Sequence, residues 1–558
     1  MTKKIKIFFV ALGLVIATSC DLDRLDNPNA VTLSSADNNF LLNRIAIDFR
    51  NFFATASTFG MELTRMMHLA NDRYEVSFTL TTGNGMWNNA YANILVDADA
   101  LIARADEAGL NIHAGIARTF KAYVLMTMVD YFGDIPWSQA LNPSEFNPGR
   151  DSDASVYDVA LTTINQAIVN LETPSTVTPG GQELYYASNV ARWAKAAKAV
   201  KLKLHLNKRL INAAESTSAI NALIADAGGL MTGLPESFRF TYSRTQANPD
   251  SRHPRFVGSY IAGGGAYQSN YYMWHLTEAK KANPGDASDS PDPRARFYFY
   301  RQVNANSTDV NEIRCIGEFP PAHYGAIDAV FCYPGVRGYW GRDHLDRQGI
   351  PPDGFRRTVP GIYPSGGRFD ADNPGPTNSP LMGNQGLGFQ PIMMASYVRF
   401  MLAEAALTLG TTGDPRDYLE QGIRASMQEV WDFSTSGLEA ALINSFFGNI
   451  AGYNTRVNNY VNLVLAEYDA AGNNTDRMRI IAREYWIAAW QNGVEAYNLY
   501  RRTGQPDGMQ PGLEADFGSF PRTLLYPTDH IVRNSNADQK SSMNVQVFWD
   551  TNPAGFIN

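Results

Sequence analysis

A hydrophobic period of three to four residues runs through both ends of this 558-residue chain. It is absent from residues 230–390, where glycine, proline, tyrosine and asparagine dominate. Apolar side chains at that spacing line one face of an α-helix, so the chain divides into two helical flanks around an irregular centre. In the first flank, residues 36–229, Phe120, Val124, Thr127 and Tyr131 share a stripe that stops at Gly133, with Pro136 just beyond. Glycine ends a helix without steric cost and proline cannot continue one. Trp193, Ala197, Val200 and Leu204 repeat the spacing, and the basic edge beside them, Lys195, Lys198 and Lys201, is expected to be a solvated face. In the second flank Trp486, Trp490, Gly493, Tyr497 and Tyr500 form an aromatic stripe expected to be core. Arg501 and Arg502 follow it, at the end where the helix dipole favours cations.

No crisp internal repeat emerges. Periodicity predicts a mostly α fold of tetratricopeptide-like helical hairpins with a loop-rich central region, and short β-like pieces at 238–242 and 296–303. The expected organisation is a signal peptide over 1–19, a tetratricopeptide-like helical region over 20–229, a loop-rich ligand-binding region over 230–390, and a second helical region over 391–558 that packs on the first. Long irregular segments in compact proteins carry binding or catalysis more than packing.

The N-terminus sets the compartment. Lys3, Lys4 and Lys6 accompany a short apolar run over residues 5–17, followed by Thr18, Ser19 and Cys20. That is a secretory signal, too short to anchor a bilayer span. Ala17-Thr18-Ser19-Cys20 resembles a bacterial lipobox, in which the cysteine is acylated and tethers a soluble domain to the membrane. The greasiest later stretch, residues 393–409, is broken by Arg399 and Glu404 and is expected to be a core helix. In an exported protein Cys315 and Cys332 either pair or remain two buried thiols.

Charge and motifs narrow the chemistry. A net charge of -8, with 47 cations against 55 anions, argues against nucleic acid. There is no Gly-x-Ser-x-Gly elbow, and Gly263-Gly264-Gly265 lacks a following lysine–hydroxyl pair. Asp343-His344 is adjacent in sequence, which favours a structural histidine. Three cysteines and eight scattered histidines do not make a zinc set. Asp370, Asp372 and Asn373 offer oxygen ligands for calcium without an EF-hand's glycine and distal glutamate. A glycoside hydrolase needs only two carboxylates, which the centre supplies as isolated aspartates.

What stands out is a recognition surface. Tyr260, Tyr267, Tyr271, Tyr272 and Trp274 crowd a glycine-rich segment, and Tyr339 and Trp340 precede Arg342 and Asp343. In loops, flat rings offer contact area at low entropy cost, and neighbouring polar groups bond sugar hydroxyls or peptide groups.

Several segments resemble the SusD/RagB family of outer-membrane nutrient-binding lipoproteins of Bacteroidetes. They are Tyr131-Phe132-Gly133-Asp134-Ile135-Pro136-Trp137, Gly341-Arg342-Asp343-His344, Gly349-Ile350-Pro351-Pro352-Asp353-Gly354 and Gly361-Ile362-Tyr363-Pro364-Ser365-Gly366-Gly367, then Trp490-Gln491-Asn492-Gly493-Val494-Glu495-Ala496-Tyr497 and Arg501-Arg502-Thr503-Gly504. The acidic Asp21-Leu22-Asp23 resembles the export signal behind the family's lipidated cysteine. The resemblance implies a non-enzymatic, surface-exposed lipoprotein that captures oligosaccharide or peptide for a SusC-like TonB-dependent transporter. It also adds Trp87 and Asn88 as ligand candidates, because family sites draw on the early helical region. Replacing Cys20 with alanine should move the protein from the membrane to the soluble fraction; unchanged fractionation would contradict acylation.

Overall fold

The computed structural model describes residues 37–557 apart from 176, 181, 282–291, 328, 333–335 and 350. The signal segment and Cys20 lie outside the described residues. The first flank contains α1 (Asn38–Leu63), α2 (Val96–Glu107), α3 (Asn111–Phe132), α4 (Asp153–Glu172), α5 (Val190–Asn207) and α6 (Ala213–Ala225). Local chemistry sets their ends. Asp37 accepts from the Asn39 amide at 2.8 Å to start α1, Ser152 and Asn189 cap α4 and α5, and Gly133 closes α3 at φ 69°. Successive helices pack as hairpins, α2 on α3, α3 on α4 and α4 on α5. Trp193 is fully buried on α5 and meets Phe120 edge-on at 5.3 Å.

The basic edge of α5 is not a solvated face. Lys198 is 2% exposed and holds Glu172 and Asp226, each at 2.6 Å, and Lys195 holds Glu236 at 2.6 Å. The chain after α6 folds back over this edge and brings carboxylates to it, which a helical wheel of α5 alone cannot show.

The excursion leaves and returns through one neck. Strand β1 (Phe238–Thr241) pairs antiparallel with β4 (Phe389–Met393), with Phe240 opposite Gln390 and a bulge beside Phe238. Inside the excursion lie α7 (Asn270–Thr277) and a two-residue pair of β2 (Phe299–Tyr300) with β3 (Val359–Pro360). The expected β-like run over 296–303 is therefore half helical, since Ala295–Tyr298 forms a short turn of helix before β2.

The second flank contains α8 (Ala395–Leu409), α9 (Pro415–Thr435), α10 (Asn449–Ala470), α11 (Asn474–Ala488) and α12 (Gly493–Thr503). The aromatic stripe from Trp486 to Tyr500 is core, but it spans two helices. Gln491 turns the chain at φ 65°, and Asn492 caps α12 by accepting from the Glu495 amide at 3.1 Å. Glu404 on α8 is fully buried, and two arginines grip it: Arg502 at 2.5 and 2.7 Å and Arg209 at 2.9 Å. Burial alone would raise its pKa; the two guanidinium groups outweigh burial and hold it below the usual carboxylate range. No helix among the described residues is long and apolar enough to cross a membrane.

The flanks meet where α1 crosses the start of α12. A Cβ on Gly60 would lie 2.0 Å from the Gly493 carbonyl oxygen, and one on Gly493 would lie 2.0 Å from the Met61 nitrogen. Gly493→Ala should therefore lower stability by about 1–3 kcal/mol or more, as for overpacked cores. Gly85→Ala, where nothing lies within 4 Å, should be neutral or stabilising. Denaturant midpoints of the two variants check the contrast.

Candidate ligand-binding site

The structure collects most of the rings expected to form a recognition surface, and it collects them inside. Tyr272 stacks on Trp490 at 5.2 Å and donates to the Ile487 carbonyl at 2.9 Å. Tyr271 donates to the Gly508 carbonyl at 3.1 Å and packs on Trp486. Tyr260 is buried and donates to the Pro360 carbonyl at 2.9 Å. Trp340 is fully buried with Ile313 and Cys315, packed against the disulfide that joins Cys315 to Cys332. Tyr339 donates to Asp370 at 2.6 Å. Trp274 alone of the named tryptophans in the excursion is half-buried.

The charged candidates are internal too. Tyr267 is held between two guanidinium groups, Arg342 at 4.3 Å and Arg357 at 4.0 Å from its ring centre, and its hydroxyl donates to Asp353 at 2.7 Å. Arg342 also donates to the carbonyls of Gln348 and Gly349 at 3.0 and 2.9 Å. Asp343 accepts from Asn270 at 3.1 Å and from the Cys332 amide at 2.9 Å, so it seats the disulfide loop. His344 contacts the Tyr74 hydroxyl at 3.1 Å, as a structural histidine. In the early helical region Trp87 is buried against Phe132, Tyr526 and His530. Asn88 is exposed and donates to Asp529 at 2.6 Å.

The physical reason is common to all of them. A loop-rich segment cannot bury its backbone in regular ladders, so it needs rings, guanidinium groups and carboxylates of its own to close over. The two aspartates named as possible calcium ligands are engaged in the same way. Asp370 accepts two bonds from Arg301, at 2.5 and 2.7 Å, and Asp372 is shared by Arg296, Arg301 and Arg337. Those carboxylates are neutralised by arginine, and among the described residues no cluster of three acidic, histidine or cysteine side chains could hold a metal.

Sequence reasoning missed a cavity of about 230 Å³ between α1 and the excursion. Ala54, Ser57 and Thr58 of α1 line one side, Gln390 of β4 and Pro360 of β3 the floor, and Tyr242, His253, Arg255, Ser259 and Gln268 the other side. Pro254, Gly265 and Ala266 are exposed and form the mouth. The ring of Phe355 lies against the Gly263–Gly265 turn beside that mouth and is 39% exposed.

Three buried polar groups in the lining lack a hydrogen-bond partner among the described residues: the Tyr242 hydroxyl, His253 Nε2 and Gln268 Oε1. His253 is 2% exposed, and its Nδ1 accepts the Arg255 amide at 3.2 Å, which places the proton of the neutral ring on Nε2; that nitrogen has no acceptor. Burial first, then the charges of Arg255 and Arg50, hold this histidine well below its ordinary pKa, so it is neutral at pH 7. Gln268 is 1% exposed; its Nε2 donates to the Ala266 carbonyl at 3.3 Å, and its Oε1 has no donor. Leaving such groups unpaired costs about 1–3 kcal/mol each, which a ligand of matching polarity would recover. No sequence signal marks this site, because its residues come from five separated segments.

Helical hairpins carrying a stapled, loop-rich excursion that closes a polar cavity define the class: an α-helical scaffold built for recognition. Residues 28–330 match a SusD-like family model described as starch-binding and associating with the outer membrane, and residues 387–546 match the model of SusD and RagB outer-membrane lipoproteins. The chain belongs to the SusD-like family, whose descriptions place it at the outer membrane. Among solved structures it is similar to a protein described as chitin-binding, with a TM-score of 0.64 and 17% identity over 92% of this chain and 100% of that one. A SusD/RagB family protein from Bacteroides thetaiotaomicron gives 0.62 and 17% over 93% and 100%. A chitin-binding SusD homologue from Flavobacterium johnsoniae gives 0.61 and 17% over 92% and 99%. At such identities the likeness is one of fold. No curated protein matches the chain.

Trp340→Ala should behave as a core deletion and cost about 3–5 kcal/mol. A lowered denaturation midpoint checks this; weakened ligand binding at unchanged stability would return the ring to a binding role.

Proposed function

We propose that this protein captures oligosaccharides outside the cell and passes them, chemically unaltered, to a SusC-like TonB-dependent transporter, tethered to the outer membrane through acylated Cys20. The observation that carries the reading is the cavity between α1 and the excursion. It is smaller than the roughly 300–1,000 Å³ of pockets that enclose a whole drug-sized ligand, so it suits a single ring of a longer chain. Its free donor on His253 and free acceptor on Gln268 match the alternating polarity of a sugar's hydroxyls. Phe355 beside the mouth offers a flat face on which the next ring can lie. The family's starch-binding description and two neighbours described as chitin-binding point to the same cargo class. Nothing in this arrangement requires bond cleavage, and delivery intact is what a transporter partner needs.

Titration calorimetry against an oligosaccharide panel and an oligopeptide panel tests the reading. Saturable saccharide binding, weakened by about 1–3 kcal/mol in Phe355→Ala or Gln268→Ala, is the expected result. Saturable peptide binding with no saccharide binding would make peptide the cargo. Cross-linking in intact cells should recover a TonB-dependent barrel with the protein.

A further inference from the structure

We infer that the cavity is a carboxylate pocket, taking one acidic residue of a uronate-bearing saccharide with its carboxylate on Arg255 and the His253 Nε2–H and a ring hydroxyl on Gln268. The inference rests on the saccharide-capture reading and narrows its substrate class.

Buried guanidinium groups in this fold are given strong oxygen acceptors. Arg294 is paired with Asp292 and Glu484, Arg301 with Asp370, Arg502 with Glu404 and Arg522 with Asp550, while Arg501 donates to the Asp130 and Arg522 carbonyls and Arg357 to the Gly265 carbonyl. Arg255, in the cavity lining, makes no hydrogen bond to a carboxylate or a carbonyl among the described residues; its partners are a hydroxyl and two sulfurs. Its Nη1 lies 2.7 Å from the Met67 sulfur, its Nη2 lies 3.3 Å from the Thr58 hydroxyl and 4.0 Å from the Met61 sulfur. Thioethers are weak acceptors, so a group able to hold a carboxylate in two parallel bonds is spent on poor partners.

The surrounding charge favours an anion as well. Arg50 lies over the rings of Phe240 and Tyr242, at 5.2 and 5.5 Å, and Tyr242 meets His253 edge-on at 4.7 Å. His253 adds a donor without adding a charge. The acid whose charge acts on Arg255, Glu62, is pushed up to about 7 by burial, against the opposing pull of Arg255, so it cancels only part of one positive charge at neutral pH. Burial brings Arg255 down to about 10, which leaves it a cation there. An arriving carboxylate meets a guanidinium and an imidazole N–H together, while Gln268 Oε1 remains to accept a hydroxyl. A neutral sugar of the same shape would leave the guanidinium uncompensated, which is the basis of discrimination.

The test uses the full chain in detergent and three probes: trigalacturonate, its fully methyl-esterified form, and free galacturonate. Trigalacturonate should bind at least tenfold tighter than the ester, and that preference should vanish in Arg255→Gln with the thermal transition retained. Gln268→Leu should weaken acid and ester by similar factors. Free galacturonate should displace the trimer, because the cavity takes one acidic residue. Equal affinity of the wild-type protein for acid and ester, which needs no variant, would overturn the inference while leaving saccharide capture standing. Binding of peptides and of no saccharide would overturn both.

Discussion

The backbone crossing of α1 and α12 at Gly60 and Gly493 is the contact on which the architecture hangs. Only two residues without a Cβ can bring those backbones so close, since a methyl group at either would sit about 2 Å from a partner's main-chain atom. The crossing joins residues more than 430 positions apart, so it is a closure between the two flanks rather than a local turn. Ser57 locks it, donating to the Gln491 carbonyl at 2.9 Å and accepting from the Gly493 amide at 3.0 Å. Gln390 of the excursion's neck donates to the same Gln491 carbonyl at 3.0 Å. Ser57 and Gln390 both line the cavity. The contact that fastens the flanks thus also fixes two walls of the cavity.

The excursion follows from a second constraint. Its two ends are paired as β1 and β4, so the segment between them must close on itself or on the helices. It does both with side chains that bond and pack at once. Tyrosines bury a ring and deliver a hydroxyl to a carbonyl, as Tyr260, Tyr271 and Tyr272 do. Arginines span loops, as Arg301 does between Asp370 and the Arg337 carbonyl. This explains why the chain relies on arginine, with only twelve lysines among the 47 cations of the whole sequence and three of those in its first six residues: planar guanidinium groups can satisfy several loop acceptors from one buried position.

That economy is why aromatic density in this sequence marks packing demand. The rings of Tyr272, Trp340 and Trp87 are where packing demand is greatest, and the groups left for a ligand are those that packing did not use. His253, Arg255 and Gln268 show this from the other side. Each is unremarkable in sequence, and each matters because its neighbours in space do not complete its hydrogen bonding.

The sequence by itself determined the helical flanks, the stop at Gly133, the interruption between them and the family, because period, caps and motifs act over a few residues and are written in order along the chain. It also showed that Trp490 and Tyr497 are core, although it ran them into one helix, since a hydrophobic stripe carries no mark of the turn at Gln491. Tertiary structure decided which side chains are spent and which are free. Whether Lys198 faces water or two carboxylates, whether Tyr267 faces a ligand or two arginines, and where His253 and Gln268 meet depend on distant segments brought together by folding. Hydrogen-bond saturation is a property of that assembled neighbourhood, and no local pattern encodes it.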